Sequence, residues 1–147
     1  MSKSKQMLLI INPRSGREKI RLKLLDILDT YTGAGYQVQV YVTQKALDAR
    51  AAVLKYGARK DLIVCSGGDG TLNEVISGLM RLDAPPPLGY LPQGTTNDFA
   101  SSLQIPRTPA SAAKNIVQNR MRELDIGRWN ERSFIYVASF GAFTRSS

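Results

Sequence analysis

Short apolar runs take turns along the chain with stretches in which apolar residues recur every three or four positions. Met7 to Ile11 is unbroken and predicts a buried strand, after which Asn12-Pro13-Arg14-Ser15-Gly16 reads as a loop. Ile20, Leu24, Ile27, Leu28 and Tyr31 then fall at helical spacing, and Gly33 and Gly35 end that helix. Tyr36, Val38, Val40 and Val42 alternate with Gln37, Gln39 and Tyr41 and predict a second strand, while Leu47, Ala51 and Leu54 mark a second helix that stops near Gly57. Asp61 to Cys65 is the third strand. Ser66-Gly67-Gly68-Asp69-Gly70 follows as a tight turn, and Thr71-Leu72-Asn73-Glu74 has the spacing of a capping box opening a helix with Leu72, Val75, Ile76 and Leu79 on one face. Asp83 to Pro87 closes it.

Leu88 to Leu91 predicts a fourth strand, with Pro92-Gln93-Gly94-Thr95-Thr96-Asn97-Asp98 as the loop at its carboxyl end. Thr108-Pro109 fits an N-cap followed by proline in the first helical position, with Ala113, Ile116 and Val117 facing inward. From Glu123 the pattern turns to two β runs, Leu124 to Trp129 and Phe134 to Phe140, joined by a polar turn around Asn130-Glu131. No internal repeat interrupts this order. Such alternation predicts an α/β fold, an open and mainly parallel sheet flanked by helices.

In such sheets ligands bind beyond the carboxyl ends of the strands, where this chain gathers its glycines and small polar residues. Gly67, Gly68 and Gly70 let a backbone approach a phosphate, and a helix opening at the same place aims free N–H groups and a positive dipole end at it. The turn is neither GxxxxGK[ST] nor GxGxxG, and a βα turn without ligand has the same appearance. Asp69 adds information. A carboxylate inside a phosphate cradle repels its ligand unless a cation intervenes, which points to Mg²⁺ held through water. Asp98 occupies the comparable loop after the next strand, where a turn or cap role serves equally well.

Composition then removes chemistries. The chain has 147 residues, one Cys and no His, so neither a Ser-His-Asp nor a Cys-His nucleophile can be assembled. A lone Cys65 makes no internal disulfide, and a reducing cytoplasm suits it. The early apolar run falls far short of the about 20 residues that cross a bilayer, and Asn12-Pro13 cuts it off where a signal peptide would continue. Net charge is +8 and uneven, since Lys3, Lys5, Arg14, Arg17, Lys19, Arg21 and Lys23 face only Glu18. That region attracts phosphates, nucleic acid or anionic lipid, or is simply a solvated helix face.

Three segments together resemble the signatures of the diacylglycerol kinase catalytic-domain family, whose members include soluble bacterial diacylglycerol kinases and sphingosine kinases. They are Asn12-Pro13-Arg14-Ser15-Gly16, Gly67-Gly68-Asp69-Gly70-Thr71-Leu72-Asn73-Glu74-Val75 and Pro92-Gln93-Gly94-Thr95-Thr96-Asn97-Asp98-Phe99-Ala100. The likeness is greatest to the soluble bacterial lipid kinases. It implies ATP- and Mg²⁺-dependent transfer of the γ-phosphoryl group to the hydroxyl of diacylglycerol, giving phosphatidic acid. It also implies a Rossmann-like N-terminal domain of the NAD kinase and diacylglycerol kinase type, over residues 1–127, with 128–147 beginning a β-rich C-terminal domain.

Carried over by position, the resemblance places Asn12, Pro13, Arg14, Ser15 and Gly16 against nucleotide phosphates, together with Gly68, Asp69, Gly70, Thr71, Leu72, Asn73 and Glu74. Thr43 and Thr95 match further positions that line the nucleotide site. Asp69, Asp98 and Asp125 match an acidic network that reaches Mg²⁺ through water. Arg14 and Arg17 are phosphate candidates from charge and location as well. Family members are about twice this length, and the carboxylate acting as general base lies in the C-terminal domain. No catalytic residue is therefore expected in this chain, and the chain alone is expected to be inactive. Unpartnered Phe134, Tyr136, Phe140 and Phe143 make a homodimer an expectation. The implied location is cytoplasmic, peripheral at the inner membrane surface, through contact with anionic lipid.

Other readings remain open: a sphingoid-type lipid kinase, an NAD kinase-like or phosphofructokinase-like enzyme sharing the GGDG turn, or a non-enzymatic nucleotide-binding module. The Gly94-Thr95-Thr96-Asn97-Asp98-Phe99 segment favours the lipid-kinase branch. Nucleic acid is not an expected partner, because no RRM, KH or helix-turn-helix signature and no base-stacking aromatic run accompanies the charge.

Overall fold

Strands that are apolar at consecutive positions have no polar face to give to water and need cover on both sides. The computed structural model describes residues 4–14, 19–93, 109–118, 122–125 and 134–137. In it β1 (Lys5–Ile11), β3 (Leu62–Gly67) and β4 (Leu88–Pro92) lie side by side in a six-stranded sheet, flanked by β2 (Tyr36–Val42), β5 (Arg122–Asp125) and β6 (Phe134–Val137) in the order β2-β1-β3-β4-β6-β5. Strands β2, β1, β3, β4 and β6 run parallel, and β5 pairs antiparallel with β6.

Cover comes from four described helices: α1 (Lys19–Gly33), α2 (Asp48–Tyr56), α3 (Asp69–Leu79) and α4 (Pro109–Gln118). The helices contact one another in two pairs, α1 with α4 and α2 with α3, and the pairs cover opposite faces of the sheet. Ile20, Ile27 and Tyr31 of α1 and Ala112, Ala113 and Ile116 of α4 close the core on the first face; Ala49, Ala52 and Val53 of α2 and Leu72, Val75 and Leu79 of α3 close the second. The α2–α3 contact is tight: a Cβ on Gly78 would lie 2.8 Å from the Val53 Cβ.

Four local expectations need correction. Ser66 and Gly67 belong to β3, and α3 begins at Asp69, so one residue, Gly68, joins strand to helix. The expected capping box does not form, because Gly68 is the N-cap and no side chain bonds it. In α2 the residues that marked the helix are its outer ones: Leu47 and Leu54 are 54% and 41% exposed, while Asp48, Ala49, Ala52 and Val53 are buried. Small residues face the core here because α3 comes so close. In β2 the apolar alternation does not become a buried face, since Val40 and Val42 are partly exposed on an edge strand. Tyr41 instead packs towards α2, its ring 6.0 Å from that of Tyr56.

The crossover that leaves β1 runs to β2 on one side and the crossover that leaves β3 runs to β4 on the other, so the sheet reverses between β1 and β3. A crevice opens at such a switch point, beyond the carboxyl ends of the strands.

Candidate functional site

The hydrogen-bond ladder continues one step past the strand ends. Thr43 N–H donates to the Ile11 carbonyl (2.9 Å), Asn12 N–H to that of Ser66 (2.9 Å) and Gln93 N–H to that of Gly67 (3.1 Å). Asn12, Thr43 and Gln93 are thus held at one level on the crevice floor. The Gln93 side-chain amide also donates to the Ser66 hydroxyl, and the Tyr90 hydroxyl donates to the Gly67 carbonyl at 2.9 Å.

The glycines of the β3–α3 junction divide into two kinds. A Cβ on Gly67 would lie 2.8 Å from Cβ and 2.9 Å from Oγ1 of Thr71, so the helix can start this close to the strand only over a glycine. Gly68 has φ −88° and ψ −171°, extended backbone open to any residue, and a Cβ on it or on Gly70 would meet nothing within 4 Å. Neither conformation nor internal packing demands glycine at 68. What the missing side chains leave is approach to the backbone. Intrahelical bonding begins with Leu72 N–H to the Gly68 carbonyl (3.1 Å), which sets the amides of Asp69, Gly70 and Thr71 at the positive end of α3.

Beside this helix end lies a cleft of about 340 Å³ lined by Asn12, Arg14, Thr43, Gln44, Lys45, Ala46, Ala49, Thr71 and Glu74. Asn12 Nδ2 donates to Thr71 Oγ1 at 3.0 Å, and Asn12 Oδ1 accepts from the Arg14 N–H at 3.0 Å. The Arg14 guanidinium reaches across to the Thr43 carbonyl at 3.1 Å. Two cations, Arg14 and Lys45, therefore line a cleft whose one carboxylate is already occupied: Glu74 accepts from Leu47 N–H (3.1 Å) and Ala49 N–H (3.2 Å). Just behind the wall, Asp48 accepts from Gln44 N–H (2.6 Å) and the Tyr41 hydroxyl (3.0 Å). The Gln44 N–H, and then the Tyr41 hydroxyl and the Lys45 charge, hold the Asp48 carboxyl below its ordinary range against the opposing effect of burial.

Of the residues singled out by sequence, Asn12, Arg14, Thr43, Thr71 and Glu74 meet in the cleft. Pro13 lies in the turn between Asn12 and Arg14, Asn73 is exposed on α3, and Leu72 is in the core. Asp69 sits half-buried in the first turn of α3 at the crevice, whereas Asp125 ends the antiparallel β5 opposite Phe134, at the amino end of β6, so the structure does not bring these two carboxylates together. Ser15, Gly16, Arg17, Thr95 and Asp98 lie outside the described residues. No group of three metal-ligating side chains occurs among the described residues. Gln44, Lys45, Ala46 and Ala49 went unread in the sequence. For Gln44, Lys45 and Ala46 the signal was position, directly after Thr43 at the carboxyl end of β2; Ala49 lies in the first turn of α2.

The match to known proteins extends well beyond this cleft. The model of the diacylglycerol kinase catalytic domain matches residues 6–129. A diacylglycerol kinase from Bacillus subtilis is 43% identical over 142 residues, 95% of this chain and 47% of that protein. One from Staphylococcus saprophyticus is 39% identical over 144 residues, 97% of this chain and 47% of its own length. The crystal structure of a diacylglycerol kinase from Bacillus anthracis superposes with a TM-score of 0.76 at 32% identity, covering 85% of this chain and 43% of that one. The chain spans about half the length of the curated relatives it matches. No helix among the described residues is long and apolar enough to cross a membrane. With the glycine junction, the switch-point crevice and a family match running through both, this chain belongs to the diacylglycerol kinase catalytic-domain family.

Proposed function

We propose that the protein transfers the γ-phosphoryl group of ATP to the hydroxyl of diacylglycerol, forming phosphatidic acid, and that this chain supplies the nucleotide-holding part of the site. The observation that carries the reading is the bare backbone of Gly68 and Gly70, open to solvent at the start of α3 and adjoining a cleft lined by Arg14 and Lys45. Phosphoryl transfer asks a protein mainly for positioning and charge neutralisation. The amides of Asp69, Gly70 and Thr71 take phosphate oxygens at the positive end of α3. Arg14, pinned to the Thr43 carbonyl, and Lys45 balance phosphate charge, while the wall from Thr43 to Ala46 orients the nucleoside. Thr95, Ser15 and Gly16 complete this site in the proposal.

Asp69 offers the hard oxygen donor that suits Mg²⁺, and we assign it, with Asp98, to the residues that would hold through water a cation able to neutralise charge on the transferring phosphate; Asp125, at the other end of the sheet, is left out of that set. The base that takes the acceptor's proton is assigned to protein beyond this chain, and residues 128–147 to the start of that second domain. A cytoplasmic protein meeting anionic lipid at the inner membrane surface, with homodimer formation, completes the proposal.

Full-length protein incubated with radiolabelled ATP, Mg²⁺ and diacylglycerol in mixed micelles is expected to yield labelled phosphatidic acid, and Gly68→Val to weaken ATP binding without loss of folding. Label appearing instead in a sphingoid base or in NAD, or no ATP binding at millimolar concentration, overturns the assignment.

A further inference from the structure

Glu74 of α3 is used by another helix. Its Oε2 accepts from Leu47 N–H at 3.1 Å and its Oε1 from Ala49 N–H at 3.2 Å, so one carboxylate caps the start of α2 from a different element. That helix has no side-chain cap of its own. Its N-cap residue, Leu47, holds φ 68° and ψ 3°, left-handed backbone that residues with a side chain adopt only at an energetic cost. The segment leading into Leu47, from Gln44 to Ala46, is the cleft wall that carries Lys45. Behind Glu74 the two helices are in contact where Gly78 meets Val53, so the carboxylate acts from a fixed base.

We propose that Glu74 is a positioning residue: by capping α2 it holds Leu47 in the left-handed conformation and so sets the Gln44–Ala46 wall, with Lys45, against the nucleotide bound at the start of α3. This rests on the nucleotide reading above. Its chemistry also answers why a carboxylate lines a site for polyphosphate. The charge is spent on two backbone amides, and the favourable end of α2 stabilises it there.

The test uses full-length protein with Glu74→Ala, Glu74→Gln and the double variant Glu74→Ala/Leu47→Gly. In nucleotide-free Glu74→Ala, hydrogen exchange at the Leu47 and Ala49 amides is expected to rise about tenfold or more, since two charge-assisted bonds are lost. KM for ATP is expected to rise about tenfold with kcat within about twofold of wild type, the pattern of lost binding rather than lost chemistry. Leu47→Gly in the same background recovers part of the KM, because glycine occupies the left-handed region without the clamp. Glu74→Gln, which keeps one acceptor oxygen, falls between and carries the test should the alanine variant not fold. Amides as protected as in wild type, or a KM within about twofold of it, overturn the proposal. Wild-type protein that binds no ATP in calorimetry overturns the nucleotide reading instead, and amide exchange then still reports whether the clamp exists.

Discussion

Asn12, just past the end of β1, donates its side-chain amide to Thr71 Oγ1 in the first turn of α3 across 3.0 Å, tying β1 to the helix that follows β3 at the point where the sheet reverses. The same side chain accepts from the Arg14 N–H, so one asparagine sets both the glycine junction and the loop that carries a cleft cation. Asn12→Ala loses both bonds and is expected to destabilise the fold by about 1 kcal/mol for each. Asn12→Asp keeps both, since aspartate accepts from the Arg14 amide and from the Thr71 hydroxyl, but it brings a negative charge to the phosphate side. Urea denaturation paired with ATP titration separates the two effects: the alanine variant should lose stability, the aspartate variant affinity. Equal stability losses in both would contradict this account.

Gly67 and Gly68 are neighbours with opposite reasons for being glycine. Gly67→Ala forces a methyl to within 2.8 Å of the Thr71 Cβ and is expected to cost about 1–3 kcal/mol, the range for overpacking. Gly68→Ala meets no atom and should cost less than Gly67→Ala, no more than the roughly 1 kcal/mol by which alanine is the poorer N-cap, while lowering affinity for ATP. Thermal melts and calorimetry on the pair check this, and a Gly68→Ala variant destabilised as much as Gly67→Ala would refute the packing argument.

Asp48 makes stability depend on acid. Its folded carboxyl is held below the ordinary value, chiefly by the Gln44 N–H, so its contribution is complete above the unfolded aspartate value of about 4 and is lost as pH falls through the folded one. The Tyr41 hydroxyl that donates to it is pushed above its ordinary value by that bond, so the pair loses stability again as pH rises past about 10. Asp48→Asn should therefore be less stable than wild type at neutral pH, with the gap closing in acid. A stability difference that stays constant from neutral pH to pH 3 would show that the charge is irrelevant.

The single thiol is a reporter of unfolding. Cys65 is buried in β3, and burial, with the Glu74 charge adding to it, pushes the thiol well above its ordinary value. Native protein at pH 8 should resist a thiol reagent, and labelling should track the unfolding transition in denaturant. Fast labelling without denaturant would show that β3 opens locally.

Periodicity read out most of the scaffold, because the central strands are buried on both faces and the α1 positions Ile20, Ile27 and Tyr31 face the core as their spacing implies. Errors arose where a long-range partner decides the outcome. Thr71 and Glu74 have the spacing of a local cap, yet Asn12 engages the first and α2 the second. Leu47 and Leu54 look like a core stripe, but the close approach of α3 leaves room only for Ala49, Ala52 and Val53. In β2 the edge position removes the neighbour that alternation presupposes. The site was legible where it is backbone, at Gly67 to Gly70 and Asn12. It was not legible at Lys45, whose place depends on how α2 is capped.

Gly78 has a consequence for how force passes through the molecule. With Val53 Cβ at 2.8 Å and the Arg50 carbonyl oxygen at 3.2 Å from where its Cβ would be, α2 and α3 meet there with only the short Val53 side chain between their backbones. A push on the first turn of α3 meets Val53 and the α2 backbone directly at that crossing. The two helices therefore behave as one lever whose arms end at the same opening, and a load placed on one arm is felt at the other.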